Sequence, residues 1–119
     1  MKNNPVNISI VLAVKNESEY IDSSIKSIAT QDIDNFEIII INDNSDDDTA
    51  EKILKLKKEF NNIVLLDNDK NGKVAAFNYG VSQSRGDWVC LFAGDDIMPQ
   101  DSLKKRYNQI KNLDQNNFH

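Results

Sequence analysis

The sequence predicts an α/β domain built on an open, mainly parallel sheet with helices on both faces. Short apolar runs rich in β-branched residues alternate with stretches of helical periodicity, which is the pattern of buried parallel strands joined by crossover helices. Each gap between neighbouring runs is long enough for such a crossover, which needs roughly a dozen residues. The 119 residues suit a single domain, and the 39% of them that are hydrophobic supply its core.

Four strands are predicted, each almost continuously apolar and therefore expected to be covered on both faces. Their predicted bounds are Ile8–Val14, Phe36–Ile41, Ile63–Leu66 and Trp88–Phe92. Cys90, the only cysteine, falls within the fourth strand and is expected to be an inert core thiol. A single cysteine allows no intramolecular disulfide, which fits a reducing compartment.

Two helices are predicted between the first three strands. The first has an apolar stripe at helical spacing, formed by Ile21, Ile25 and Ile28. The second has a similar stripe, formed by Ala50, Ile53, Leu56 and Phe60. Its lysines are expected to face water, namely Lys52, Lys55, Lys57 and Lys58. Ser45 and the acidic run 46–48 stand where a helix cap and an acidic first turn belong.

Two more helices are predicted after the third and fourth strands. The apolar stripe of the third consists of Val74, Phe77 and Val81. Gly86 is expected either to end this helix or to start the next strand. Pro99 is expected to open the fourth helix within its first turn. The stripe of the fourth helix consists of Leu103, Tyr107 and Ile110.

Polar residues gather after the predicted strands. They occupy segments 15–17, 42–46, 67–73 and 93–96, whereas the segments before the strands are sparser. In open α/β sheets, ligands bind beyond the carboxyl ends of the strands. We therefore expect a carboxylate-rich site at this edge of the sheet, the alternative being ordinary loop polarity.

Asp95 and Asp96 are the sharpest local feature of that edge. They follow the fourth strand, and Gly94 lets the backbone turn tightly before them. Adjacent carboxylates repel each other unless a cation or proton intervenes. Mg²⁺ and Mn²⁺ suit such hard oxygen ligands and are held by one or two carboxylates plus substrate phosphates. The alternative is a turn and helix cap before Pro99.

Asp43 and the pair Gly72 and Lys73 lie at the same predicted edge. The Asp43 carboxylate suits a nucleobase imide N–H, the alternative being an Asx turn into the second helix. Gly72 and Lys73 begin the third helix, where backbone N–H groups and an ammonium suit a phosphate. The sequence contains neither a P-loop nor a G-x-G-x-x-G motif, which disfavours a dinucleotide cofactor.

The charge and hydropathy of the chain exclude several classes of partner. A net charge of −5 offers no basic footprint for nucleic acid. No apolar run approaches the ~20 residues that span a bilayer. Residues 1–5 lack the apolar region of a signal peptide. These features lead us to expect a soluble, cytoplasmic protein.

Four blocks of the sequence, taken together, resemble glycosyltransferase family 2, a family of inverting enzymes with the GT-A fold. They are SIVLAVKNE at 9–17, EIIIINDNSDDDT at 37–49, GKVAAFNYG at 72–80 and GDWVCLFAGDD at 86–96. Each block is weak alone, but the four occur in the family's order and spacing. The resemblance implies the Rossmann-like, nucleotide-sugar-binding half of a GT-A domain.

The resemblance also implies a role for each residue of the donor site. Ala13, Val14 and Asp43 would hold the nucleobase, and Glu17 would lie near the base and the ribose. Lys73 would lie near the diphosphate. The implied donor is a nucleoside-diphosphate sugar, with a UDP-sugar favoured.

The metal motif of the family is implied at the end of the fourth strand, where Mg²⁺ or Mn²⁺ would bind. Asp95 would contact the nucleotide sugar and Asp96 would be the direct metal ligand. Ala93 stands where the family usually has the first Asp of this motif, which weakens the implied site. Asn42 likewise replaces an Asp in the second block, although Asp43 is retained.

The implied reaction is a single displacement at the anomeric carbon, in which an acceptor hydroxyl attacks and the nucleoside diphosphate leaves. The general base normally belongs to an acceptor-binding half that nothing in this sequence matches. We therefore expect residues 1–119 to form a single partial domain that binds a nucleotide but transfers sugar poorly. The parent enzyme would take a glycan or lipid-linked acceptor and would associate with the inner face of the membrane. An exposed surface left by the absent half would favour a homo-oligomer.

Two other functions remain open from the sequence. One is a non-catalytic nucleotide-binding or scaffold domain, which Ala93 and the absent half favour. The other is a phosphoacceptor receiver module, which also has a parallel sheet and an acidic, Mg²⁺-binding edge. A receiver needs an acidic pair after the first strand, where this chain has Lys15, Asn16 and Glu17.

Overall fold

The computed structural model of the chain describes residues 6–117, in which strands and helices alternate. The element bounds are β1 Ile8–Val14, α1 Ile21–Ala29, β2 Phe36–Asn42, α2 Thr49–Glu59, β3 Ile63–Asp67, α3 Lys73–Gln83, β4 Trp88–Ala93 and α4 Ser102–Asn117. The predicted order of elements is confirmed. Every strand begins at its predicted residue, and β2, β3 and β4 each run one residue further than predicted. Residues 1–5, which bear on the signal-peptide prediction, lie outside the described part.

The four strands form one sheet in the order β3-β2-β1-β4, with all three neighbouring pairs parallel. The predicted open parallel sheet is therefore confirmed. The chain moves outward from β1 to β2 to β3 and then returns across the sheet to pair β4 with β1. The order reverses between β1 and β4, and in such sheets the crevice at this reversal is where ligands bind.

The two faces of the sheet carry separate cores because alternate side chains of a strand point to opposite faces. The larger core joins Ile10 and Leu12 of β1 to buried residues of α1, α2 and α4. The smaller core joins Val11 and Ala13 of β1 to Ala76 of α3. Helices thus cover both faces, three on one and α3 on the other. Because both faces of β1 are covered, all of its side chains are buried.

The predicted apolar stripe of α3 is wrong in two of its three positions. Val74 is 75% exposed and Val81 is 43% exposed, whereas Ala76 and Gly80 are buried. A Cβ atom at Gly80 would overlap Val11 Cγ1 and lie 3.3 Å from Ile41 Cγ1. The helix approaches the sheet so closely that only small side chains fit on its buried face. Large apolar residues therefore could not mark that face.

The expectation that β4 is covered on both faces is also wrong. Val89 is 41% exposed and Leu91 is 54% exposed. Both lie on the face that α3 covers, but α3 packs over β1 and β2. The other face of β4 carries Phe92 and Cys90 against the larger core. Cys90 is only half-buried.

The fourth helix begins at Ser102, which corrects the prediction that Pro99 opens it. Asp101 has a φ of 65°, a left-handed conformation that a right-handed helix excludes. The predicted stripe is partly confirmed, since Leu103 is fully buried and Tyr107 packs against the larger core. None of the helices within residues 6–117 has the length and hydropathy of a membrane span.

The start of α2 also differs from the prediction. Ser45 does not cap the helix, because its Oγ accepts a hydrogen bond of 3.0 Å from the backbone N–H of Asn16. The N–H of Thr49 instead donates to Asp47 Oδ1 at 3.0 Å. Lys52, expected to face water, donates from Nζ to the carbonyl of Ser18 at 2.7 Å. The acidic run thus joins the loop that follows β1.

Candidate functional site

Two adjoining cavities open at the carboxyl ends of β1 and β4, and together they form what we call the crevice. Their volumes are about 260 Å³ and about 250 Å³. Both are lined by Ala13, Glu17 and Lys73. The first is also lined by Phe77, Leu91, Phe92, Ala93, Gly94 and Asp95. The second is also lined by Val14, Lys15 and Asp43. The crevice thus lies at the strand-order reversal, as open α/β sheets lead one to expect.

Small residues shape the bottom of the crevice. Ala13 and Ala93 are partners in the β1–β4 register. Gly94 is buried beside them, and a Cβ atom there would lie 2.7 Å from Val14 Cγ1. A larger residue at this position would therefore displace the Val14 side chain, and the small side chains leave room for a ligand.

Asp43 lies on the crevice wall at the end of β2, where it is 7% exposed. Its backbone N–H donates to the carbonyl of Val14 at 2.8 Å, which continues the β1–β2 ladder. Its Oδ1 accepts hydrogen bonds from Asn68 Nδ2 at 2.9 Å and from the N–H of Gly72 at 3.2 Å. The carboxylate therefore joins the loop after β2 to the loop after β3.

The side-chain bond into the turn before α2, which was considered for Asp43, is made by its neighbour. Asn42 Oδ1 accepts a hydrogen bond of 3.2 Å from the N–H of Ser45. The residue that replaces the family's first Asp in this block therefore turns the chain toward α2. Asp43 is left to serve the crevice and the β3–α3 loop.

Glu17 is held in the crevice by the loop between β1 and α1. Its backbone N–H donates to Thr49 Oγ1 at 3.0 Å. The preceding residue, Asn16, has a φ of 53° and accepts at Oδ1 from the N–H of Asp46 at 2.7 Å. These bonds pin the loop to the start of α2. The position of the Glu17 carboxyl group is thus set by a segment far away in the sequence.

The electrostatic environment of Glu17 is acidic. Burial raises the pKa of Glu17 above its ordinary value, and the charges of Asp95 and Asp47 raise that pKa further. Lys73 acts in the opposite direction and lowers the same pKa. The crevice therefore holds several carboxylates together with two lysines, Lys15 and Lys73. An anionic ligand needs these ammonium groups or an added cation to offset the carboxylates.

Lys73 is the first residue of α3, and Gly72 is its N-cap with a φ of 100°. That left-handed backbone suits glycine because a side chain would be strained there. The amino end of a helix carries partial positive charge and free N–H groups. Lys73 and the start of α3 therefore make the side of the crevice most suited to phosphate.

Asp95 and Asp96 lie in different surroundings, although they are adjacent in the sequence. Asp95 lines the larger cavity, whereas Asp96 is exposed and lines neither cavity. Asp96 Oδ1 accepts from the N–H of Ile97 at 2.9 Å, and its own N–H donates to the carbonyl of Ala93 at 3.2 Å. The turn that the alternative reading predicted is thus present. Asp43 and Asp96 nevertheless follow the carboxyl ends of parallel strands separated by β1 alone, so both lie at the same edge of the sheet.

The carboxylates of the crevice fit only one kind of metal site. Within residues 6–117, no three side chains of His, Cys, Asp or Glu come together as a ready-made metal site. Mg²⁺ and Mn²⁺ do not need such a set, since they often bind one or two carboxylates and take further ligands from phosphate and water. Asp95 and Asp96 supply hard oxygen atoms of that type. The donor set therefore fits a cation that arrives with a nucleotide.

A larger hollow, with a volume of about 800 Å³, lies at the opposite edge of the sheet. It is lined by the carboxyl ends of α1 and α2 and by the start of β2, including Phe36 and Phe60. None of the predicted site residues lines it. The sequence-based site and this larger hollow are therefore separate.

Several residues of the crevice region were not predicted from the sequence as site residues. Phe77, Leu91 and Phe92 line the larger cavity, but their apolar side chains are typical of core positions. Asn68 is 5% exposed and bonds Asp43. Nothing in the sequence distinguishes Asn68 from the other polar residues of its loop, because its role depends on a partner in a different loop.

The family model described as "Glycosyl transferase family 2" matches residues 9–118. The chain is also similar to a poly-beta-1,6-N-acetyl-D-glucosamine synthase of Staphylococcus aureus. The two are 41% identical over 107 residues, which are 89% of this chain and 25% of that protein. The chain therefore spans about a quarter of the length of this curated relative.

Three solved structures, which represent two proteins, share the fold. Residues 1–349 of S. aureus TarS superpose with a TM-score of 0.83 at 24% identity, covering 90% of this chain and 33% of that one. The complex of the same protein with UDP-GlcNAc gives a TM-score of 0.79 at 25% identity, with 90% and 32% covered. The mannosyltransferase PcManGT of Pyrobaculum calidifontis, in complex with GDP-Man and Mn²⁺, gives 0.78 at 19% identity, with 91% and 32% covered.

Proposed function

Because the chain belongs to glycosyl transferase family 2, we propose that its crevice binds a nucleoside-diphosphate sugar as the donor for glycosyl transfer. One observation carries this proposal. Six residues that the sequence associates with the donor line the two adjoining cavities, namely Ala13, Val14, Glu17, Asp43, Lys73 and Asp95. The similar structures with UDP-GlcNAc and with GDP-Man support the same class of ligand.

The nucleobase would lie in the cavity beside Asp43. The backbone ends of β1, at Ala13 and Val14, form the adjoining wall. A carboxylate only accepts hydrogen bonds when ionised, so it favours a base that presents an imide N–H, such as uracil. This preference leads us to a UDP-sugar as the first donor to test.

The diphosphate would lie toward Lys73 and the start of α3. An ammonium and a helix N-terminus both favour phosphate oxygens. Glu17 and Asp95 face the same space and oppose an anion. A divalent cation held by Asp96 and Asp95, when bound, would neutralise charge on the departing diphosphate. We therefore propose Mg²⁺ or Mn²⁺ as a cofactor of nucleotide binding.

The reaction of the whole protein would be an inverting displacement. The oxygen of an acceptor hydroxyl forms a bond to the anomeric carbon while the bond to the diphosphate oxygen breaks. The proton of the hydroxyl passes to a general base. No residue within the described range 6–117 is assigned to that role. We propose that the residues in hand hold and orient the donor and that transfer by this chain alone is poor.

Nucleotide titration tests the proposed donor site. Isothermal titration of the chain with UDP, GDP and CDP, each with and without Mn²⁺, measures the three affinities and their dependence on metal. We expect UDP to bind more tightly with Mn²⁺ than without it. Asp96→Ala should remove most of this metal dependence while leaving the metal-free affinity unchanged.

Asp34→Ala is the matched control for Asp96→Ala. Asp34 is also exposed, but it lines the hollow at the opposite edge of the sheet. This variant should keep the metal dependence of the unchanged chain. Absence of binding by any nucleoside diphosphate, with the chain folded, would overturn the proposed function.

A non-catalytic nucleotide-binding domain is the second candidate, favoured by Ala93. This residue lines the crevice where the family usually has a carboxylate. Nucleotide binding that is insensitive to Mn²⁺ would favour this candidate over a transferase donor site. The receiver alternative is wrong, because the chain belongs to a glycosyltransferase family.

A further inference from the structure

Asn68, the first residue after β3, uses both ends of its side-chain amide in hydrogen bonds. Its Nδ2 donates to Asp43 Oδ1 at 2.9 Å and to the carbonyl of Gly72 at 3.3 Å. Its Oδ1 accepts from the N–H of Lys70 at 3.2 Å. The residue is 5% exposed, so its amide is shielded from water.

These bonds join two parts of the crevice that the proposed function assigns to different parts of the ligand. Asp43 belongs to the nucleobase side. Gly72 is the N-cap of α3, and its carbonyl accepts the helical hydrogen bond of Ala76. The next residue, Lys73, belongs to the diphosphate side. Asn68 thus contacts Asp43 on the nucleobase side and Gly72 on the diphosphate side, and it lines neither cavity.

We propose that Asn68 is a positioning residue, which holds the Asp43 carboxylate and the Lys73-bearing start of α3 in a single arrangement competent for a nucleoside diphosphate. The inference rests on the proposed function, since it assigns the support of the same site. Asn68 occupies Oδ1 of Asp43 and so limits rotation of the carboxylate. The other oxygen, Oδ2, is then presented in a constant direction to the base.

The arrangement predicts a signature in two ratios of dissociation constants. The ratio for CDP over UDP measures selectivity for a base with an imide N–H. The ratio for uridine over UDP measures the contribution of the diphosphate. Lys73→Ala should lower the second ratio alone. Asp43→Ala should lower the first ratio most, and the second in part, because Asp43 Oδ1 also accepts from the N–H of Gly72 at 3.2 Å. Asn68→Ala should lower both.

These ratios separate positioning from simple destabilisation. A variant that only reduces the folded fraction weakens every ligand by the same factor, so both ratios stay unchanged. A loss of orientation instead weakens the ligands that depend on the oriented groups. We expect Asn68→Ala to lower each ratio by about fivefold to tenfold, which is the typical worth of one or two hydrogen bonds.

Asn62→Ala is the matched control at the other end of β3. Asn62 precedes β3, and its Nδ2 donates to the carbonyl of Phe36 at 3.1 Å, at the opposite edge of the sheet. The variant also loses an asparagine bond between a loop and β2. Both ratios should match those of the unchanged chain.

Asn68→Asp is the second variant, which keeps the shape and the acceptor for Lys70 while removing both donors. It also sets a carboxylate against Asp43, so both ratios should fall at least as far as in Asn68→Ala. A further measurement needs no variant: the side-chain amide signals of Asn68 in a ¹⁵N NMR spectrum should shift more on addition of UDP than of CDP.

The outcomes distinguish this inference from the proposed function. UDP binding by the unchanged chain, with both ratios preserved in a folded Asn68 variant, would overturn the positioning role and leave the proposed function in place. If neither Asn68 variant folds, an Asn68 amide signal that responds equally to UDP and CDP would overturn the role. Failure of the unchanged chain to bind UDP would overturn both.

Discussion

Ala13 and Ala93 are partners in the parallel register of β1 and β4, and both line the larger cavity of the crevice. The bottom of the proposed donor site is therefore formed by two methyl groups. Position 93 is where the family pattern usually has a carboxylate. The negative charge at this end of β4 is thus left to Asp95 and Asp96.

Ala93→Asp should change nucleotide affinity in opposite directions with and without metal. Without metal, the added carboxylate repels the diphosphate, and UDP affinity should fall by about fivefold, a worth of ~1 kcal/mol for charges ~4 Å apart in water. With Mn²⁺, an added hard oxygen ligand should raise UDP affinity. Isothermal titration at matched ionic strength measures both effects.

Ala93→Asn is the control for this substitution. It adds nearly the same volume without a charge, so any effect of size appears in both variants. UDP affinity should fall without metal and rise with Mn²⁺ in Ala93→Asp alone. Equal behaviour of the two variants would contradict an electrostatic role for position 93.

Lys73→Ala should weaken UDP by about tenfold and leave uridine unchanged, because the ammonium serves the phosphates. The difference should shrink as salt is raised, since the charges lie in an open crevice that salt screens. Titrations at two salt concentrations provide the measurement. Lys70→Ala, an exposed position of the same loop, should leave both ligands unaffected. If Lys73→Ala weakened uridine as much as UDP, the Lys73 ammonium would not act on the phosphates.

Glu37 forms a buried network that supports the crossover from α3 to β4. Its side chain is 4% exposed, with Oε1 at 3.1 Å from Arg85 Nε. Its Oε2 accepts from Ser9 Oγ at 2.6 Å and from the N–H of Arg85 at 2.7 Å. Glu37→Gln should lower the free energy of unfolding by ~1–3 kcal/mol, because it sets amide hydrogens against these donors.

The exposed pair of Asp32 and Lys104 supplies the control for Glu37. Its atoms are 3.3 Å apart, but the side chains are 80% and 55% exposed. Asp32→Asn should change the free energy of unfolding by less than ~0.5 kcal/mol, as exposed ion pairs usually do. Urea denaturation of both variants measures the two changes in the free energy of unfolding. Similar losses in Glu37→Gln and Asp32→Asn would contradict the stabilising role of the buried Glu37 network.

Glu17 should make the stability of the chain depend on pH. Burial and the charge of Asp95 raise the pKa of Glu17 in the folded state, and Lys73 offsets part of the rise. A raised acid pKa adds stability below the pKa of the unfolded state, and this stability is lost as pH rises through the folded pKa. Glu17→Gln should therefore match the unchanged chain near pH 4 and exceed its stability near pH 7.

Urea denaturation at these two pH values measures the effect of Glu17. Glu19→Gln is the control, because it removes the same charge from an exposed position of the same loop. It should show a smaller gain at neutral pH. A stability difference between Glu17→Gln and the unchanged chain that does not grow with pH would contradict the raised pKa.

Much of the fold could be predicted because short apolar runs and helical periodicity mark the strands and helices. The run Ile8–Val14 is continuous because both of its faces are covered, and all four strands begin where the pattern predicts. The parallel direction of the strands followed from the helical length of the connections. The polar segments after the strands could therefore be assigned to one edge before their neighbours were known. The ligand roles given to Asp43, Lys73 and Asp96 stay predictions.

Only the tertiary structure decided which elements are neighbours. Pairing of β4 with β1 sets the crevice between Ala13 and Ala93, and no local pattern encodes that choice. The buried face of α3 carries only small residues, Ala76 and Gly80, because the helix packs closely on the sheet. The sequence of α3 therefore has no stripe of large apolar residues that would indicate this face. The bond between Asn68 and Asp43 joins loops 25 residues apart. Local sequence determines where strands and helices begin and which way the strands run, whereas contacts between distant segments depend on how the whole sheet assembles.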